Sequence, residues 1–149
     1  MLVKRILRRL GVRTLRLLVR VMPSAVLGTL WRNPLFDAEW YQNEYPDVRG
    51  ARLGAARHFR RHGAPEGRHP NSVFDTGWYR ASHPDVAASR LNPLDHYYLF
   101  GAWEGRDPSA SFDTDWYVNA NPDVARSGVN PLLHYLRHGQ AEERPTMPE

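Results

Sequence analysis

The chain has 149 residues, 42% apolar and 11% aromatic, enough to bury a core, which excludes wholesale disorder. It has no cysteine, so disulfide scaffolds and Cys-based zinc sites are excluded. The net charge of +4 conceals a division: residues 1–36 carry eight basic residues and no acid, whereas the rest carries 12 basic and 16 acidic residues, which argues against nucleic acid lying along the body.

Residues 1–32 read as a basic amphipathic leader helix with a connector. Arg5, Arg9, Arg13, Arg16 and Arg20 fall within about 80° of one another on a helical wheel, at roughly 100° per residue. Val3, Leu7, Leu10, Leu17 and Val21 take the opposite side. The helix is expected to end near Pro23, and Gly11 weakens it by about 1 kcal/mol. The longest uncharged run, Val21–Trp31, is interrupted by Pro23 and Gly28 and is shorter than the roughly 18 residues of a membrane span. A secretory signal is disfavoured, because charges continue to Arg20 and no small-residue cleavage site follows. The five arginines are therefore candidates for docking on an anionic membrane surface. The alternative is a cap that lays its apolar stripe on the next segment.

From residue 33 to 145 the chain repeats itself. Phe36-Asp37-Ala38-Glu39-Trp40-Tyr41 returns as Phe74-Asp75-Thr76-Gly77-Trp78-Tyr79 and as Phe112-Asp113-Thr114-Asp115-Trp116-Tyr117, 38 residues apart each time. Pro46-Asp47-Val48 returns at 84–86 and 122–124. His58, His96 and His134 correspond, as do Gly63, Gly101 and Gly139. So do the pairs Glu66/Arg68, Glu104/Arg106 and Glu142/Arg144. This defines units 36–73, 74–111 and 112–145, with 146–149 as a tail.

Each unit predicts short helices and no strands. Asp37, Asp75 and Asp113 are N-cap candidates. Asn121-Pro122, Asn130-Pro131, His83-Pro84 and Asn92-Pro93 place a capping residue before a proline at the first helical position. Gly63, Gly101 and Gly139 are expected to stop the last helix of each unit. The expected fold is all-α: three units of short helices stacked as a small array, the first unit being degenerate at 51–55.

The motif Phe-Asp-x-x-Trp-Tyr, Asn-Pro-Asp-Val, Asn-Pro-Leu-x-His-Tyr, Gly-x-x-Glu-Gly-Arg-x-Pro resembles a bacterial repeat associated with cell-surface polysaccharide glycosyltransferases, including rhamnan-synthesis-type proteins. Similar units occur in some large secreted bacterial proteins. The resemblance covers about residues 33–145, including the lead-in Asn33-Pro34-Leu35. The first unit lacks the Asn-Pro-Leu stretch, and the third has Glu143 where glycine is usual. In that family any transferase activity belongs to a separate domain. The resemblance therefore implies an accessory or interaction module in glycan assembly, without catalytic residues or cofactor. It implies a protein partner such as a glycosyltransferase or another assembly component.

Three residue sets bear on function. Trp40/Tyr41, Trp78/Tyr79 and Trp116/Tyr117 are expected to fill the inter-unit core, with a sugar-stacking ladder as the alternative. His58 and His62, and His134 and His138, are four residues apart, a spacing zinc can use, but the second unit has Phe100 at the partner position. The histidines therefore read as hydrogen-bonding groups beside the core, and no metal site is expected. The Glu/Arg pairs read as salt bridges tying one unit to the next, because an active site does not normally occur three times. No phosphate-binding glycine loop or nucleophile elbow is present. The expectation is a non-catalytic interaction module, peripheral at the cytoplasmic face of the inner membrane. The alternatives are a glycan-binding module and a transferase fragment or remnant.

Overall fold

A computed structural model describes residues 33–50, 54–89 and 91–149. The leader, with Arg5, Arg9, Arg13, Arg16 and Arg20, lies outside the described residues. The all-α expectation holds: regular structure in the described residues is helical, with one isolated bridge between Ser109 and Phe112.

Each unit opens on the same cap. Asp37, Asp75 and Asp113 hold extended backbone and accept the N–H of Trp40, Trp78 and Trp116 at 2.9, 2.8 and 2.8 Å. These bonds start α1 (Ala38–Glu44), α3 (Thr76–Ser82) and α6 (Thr114–Ala120). A proline then begins a second turn: a 3₁₀ turn at Pro46–Val48, α4 (Pro84–Ala87) and α7 (Pro122–Ser127). The third segment is α2 (Ala55–His58), α5 (Pro93–Leu99) or α8 (Pro131–His134). In the first and third units it runs on as a π turn, Phe59–Gly63 and Tyr135–Gly139.

Two expectations about caps need correction. Asn92 and Asn130 do cap, accepting from Leu94 and Leu133. His83 and Asn121 make no side-chain cap. Asn121 instead donates to the Tyr117 carbonyl at 2.7 Å and accepts from Arg144 at 2.8 Å. Its side chain is drawn to a nearby cation and to the free carbonyl of the preceding helix, and the proline has already removed one N–H that would need a cap.

The second correction concerns glycine. Gly63, Gly101 and Gly139 do not end helices in a left-handed conformation. The positive-φ residues of this turn lie further on, at Gly67, Gly105 and, third in the series, Glu143 at φ 52°. Gly63, Gly101 and Gly139 are glycine because the hydroxyls of Tyr41, Tyr79 and Tyr117 lie where a Cβ would be. Close packing, not turn geometry, demands the absent side chain.

The core is continuous. Tyr41, Tyr79, Tyr97, Tyr117, Phe74, Phe112, Leu94, Leu132 and the valines 48, 86 and 124 are buried in one apolar cluster. Units are joined by hydrogen bonds as well as by packing. Thr76 and Thr114 hydroxyls donate to the carbonyls of Arg68 and Arg106, each at 2.8 Å. The backbone closes each unit on its own cap: Asp37, Asp75 and Asp113 N–H groups donate to the carbonyls of Pro70, Pro108 and Thr146. Thr146 lies beyond the boundary drawn at 145, and its hydroxyl also holds the Ser111 carbonyl. The folded unit therefore reaches into the expected tail.

Candidate functional site

Four tyrosines are fully buried, so each hydroxyl must find a partner inside the protein. Tyr41 meets His58 Nδ1 at 3.2 Å, Tyr79 meets His96 Nδ1 at 3.0 Å and Tyr117 meets His134 Nδ1 at 3.0 Å. Tyr97 meets the Thr114 hydroxyl at 3.2 Å. Burial pushes Tyr41 and Tyr117 up to about 12 and raises Tyr79 and Tyr97 further, so all four keep their protons. Burial, reinforced by the Arg106 charge, pushes His96 down to about 4, and burial with Arg144 lowers His134. In the second and third units the tyrosine therefore donates, the neutral histidine accepts at Nδ1, and the histidine proton is assigned to Nε2. In the third unit that Nε2 lies 3.7 Å from Asp123.

Above each pair lies a charged clamp. Arg68 binds Glu66 at 2.8 Å and both oxygens of Asp47, at 2.9 and 2.8 Å. Arg106 binds Glu104 at 2.7 Å and Asp85 at 2.9 and 3.0 Å. Arg144 binds Glu142, Asp123 and Asn121. Hydrogen bonds from Arg68 and Arg106 hold Asp47 and Asp85 below the usual carboxylate range. In the first unit Arg68 also lies over the Tyr45 ring, 5.0 Å from its centroid.

This corrects the expected role of the Glu/Arg pairs. They tie the end of each unit back to the Pro-Asp-Val turn of the same unit, not to the next unit. The missed residues are Asp47, Asp85 and Asp123. Their 38-residue recurrence was visible, but a partner 21 residues away is not legible from spacing alone.

The tryptophan-tyrosine ladder is corrected in half. Tyr41, Tyr79 and Tyr117 have no exposed surface and cannot stack on a sugar. Trp40, Trp78 and Trp116 are half-buried, the first two packed against the core. The tyrosine faces inward because it sits one residue beyond tryptophan, toward Gly63, Gly101 or Gly139. His58 and His62 rings lie 5.3 Å apart and His134 and His138 rings 5.5 Å apart, but each first histidine is engaged by tyrosine. Among the described residues no group of three or more His, Asp or Glu is placed to hold a metal ion. Among them no helix is long and apolar enough to cross a membrane.

The joint between the first and second units differs from the next one. Arg60 forms a two-pronged ion pair with buried Asp95, at 2.7 and 2.9 Å, and Asn33 donates to the same carboxylate at 2.9 Å. At the equivalent positions of the following joint stand Tyr98 and Leu133, both in or against the apolar cluster. No family model, curated protein or solved structure matches this chain.

Proposed function

We propose that the chain is a non-catalytic interaction module serving bacterial surface-polysaccharide assembly. The basic leader would hold it at the cytoplasmic face of the membrane, and the outer surface of the repeats would meet a protein partner such as a glycosyltransferase. The reading takes its biological setting from the motif resemblance. The observation that supports the non-catalytic part is that the recurring chemistry-bearing groups are engaged with one another. The His58, His96 and His134 rings hold buried tyrosine hydroxyls, and Arg68, Arg106 and Arg144 each hold two carboxylates.

Co-sedimentation of the full chain with phosphatidylglycerol-containing and with neutral vesicles tests the anchor. Binding should favour the anionic vesicles and fall when Arg5, Arg9, Arg13, Arg16 and Arg20 are all changed to glutamate. Equal binding to both vesicle types removes this part of the reading. Cross-linking in the native bacterium, with recovery of a polysaccharide glycosyltransferase, tests the partner. A second reading, glycan binding, rests on the half-buried Trp40, Trp78 and Trp116 alone. Quenching of tryptophan emission by a soluble oligosaccharide would favour it over a protein partner.

A further inference from the structure

The repeat supplies its own control for what architecture requires. One cleft of about 270 Å³ in the first two units is lined by Arg60, Pro65, Arg80, Leu91 and Pro93, among others. Moving each position on by 38 residues gives Tyr98, Trp103, Val118, Val129 and Pro131. The next joint thus places an aromatic ring where the first has Arg60, tryptophan where it has Pro65, and valine where it has Arg80. A second cleft, of about 240 Å³, has Ala56, Arg60 and Asp95 where the next joint has Leu94, Tyr98 and Leu133. Ala56, Arg60, Pro65 and Asp95 thus stand where the next joint has the bulky apolar Leu94, Tyr98, Trp103 and Leu133, and charged Arg80 stands where it has Val118. Where a sequence breaks a rule that its own repeat satisfies, function is the usual reason.

The charges specify the ligand. Arg60 is balanced by Asp95, whose oxygens are shared with Asn33. Arg80, on α3, has no such carboxylate: its one hydrogen bond among the described residues is a long one, 3.5 Å, to the Pro65 carbonyl. The lining of the larger cleft holds two guanidinium groups and no acid, with Pro65, Val86, Leu91 and Pro93 as apolar walls. Guanidinium recognises phosphate and carboxylate oxygens through paired N–H groups. We infer that the cleft between the first two units binds a small ligand that carries an oxyanion, phosphate or carboxylate, on an apolar body. Arg80 is the contact to the oxyanion, and the walls take the body. The volume lies just below the about 300–1,000 Å³ of pockets for drug-sized ligands, which limits the body to about one ring.

The full chain, isotopically labelled, is titrated with inorganic phosphate and with phenyl phosphate at constant ionic strength, and amide shifts are followed. Saturable shifts should appear at Ala64, Ser89 and Leu91. Phenyl phosphate should bind about tenfold more tightly than inorganic phosphate, because only it reaches the walls. Benzoate separates a carboxylate from a phosphate preference. Arg80→Val places at this position the side chain that the third unit carries at Val118, so the fold should persist, checked by its melting temperature. Binding should then weaken at least about tenfold. Arg137→Gln, at an exposed residue of the third unit, should leave it unchanged. Shifts that fail to saturate, that spread evenly over the surface arginines, or that survive Arg80→Val would overturn the inference.

Discussion

Gly101→Ala should destabilise the chain, and Tyr79→Phe should rescue it. A Cβ on Gly101 would coincide with the Tyr79 hydroxyl, would lie 3.4 Å from the ring carbon that bears it and would lie 3.3 Å from Tyr97 Cδ2. The oxygen is therefore the principal obstacle, since the two carbons stand near ordinary contact distance. Both rings are fully buried and cannot swing into solvent. Forcing a methyl into such packing costs about 1–3 kcal/mol. Tyr79→Phe alone loses the bond to His96 and costs about 0.5–1.5 kcal/mol. In the double variant the methyl replaces the hydroxyl in the same space, so its stability should match Tyr79→Phe, with a favourable coupling equal to the Gly101→Ala cost, about 1–3 kcal/mol. Urea denaturation of the four proteins, followed by tryptophan emission, measures that coupling. Gly139→Ala with Tyr117→Phe is the internal contrast. There Tyr135 Cδ2 still lies 2.7 Å from the added Cβ, so rescue should be incomplete. Additive effects at Gly101, or a neutral Gly101→Ala, would refute the idea that the hydroxyl dictates glycine.

Stability should fall with acid in a window set by His96. Its folded value is depressed from 6.5 to about 4, so its contribution is complete above pH 6.5 and is lost as pH falls through 4. The loss amounts to roughly 3 kcal/mol and should flatten in His96→Gln, measured as urea midpoints across pH. Asp47 and Asp85 are also depressed, so their contribution is lost at lower pH, below the ordinary aspartate value of 3.8. Glu143→Gly should stabilise by about 1 kcal/mol, because Glu143 alone among described non-glycine residues holds a positive φ. Gly105→Ala should destabilise more than Gly67→Ala, since only at Gly105 would the Cβ meet a carboxylate, that of Asp115 at 2.6–2.8 Å. Thermal melts rank the pair, and equal losses would contradict the contact. Asp95→Leu should cost about 1–3 kcal/mol by leaving half-buried Arg60 without its carboxylate, and adding Arg60→Tyr should recover most of it. That pairing copies Tyr98 and Leu133 of the following joint, and failure of the second change to recover stability would argue against equivalence of the two joints.

Much was determined by the sequence alone, because local rules act over three or four residues. Asp37, Asp75 and Asp113 cap because a short carboxylate before a helix can reach only the N–H groups of the next turn. The 38-residue recurrence of tyrosine, histidine and glycine marked each as part of the repeat, with separate roles in core, hydrogen bonding and helix termination. The tertiary structure decided that the three form one device. Tyr41 meets His58 17 residues away and blocks a side chain at position 63. Such contacts depend on how helices pack, and spacing does not encode packing. For the same reason the Arg68–Asp47, Arg106–Asp85 and Arg144–Asp123 clamps close inside units, although sequence position suggested links between them. The Arg60–Asp95 joint is the extreme case. Neither residue recurs, so periodicity discards them as noise, and only the fold, by bringing together positions 35 apart in sequence, shows that they answer each other.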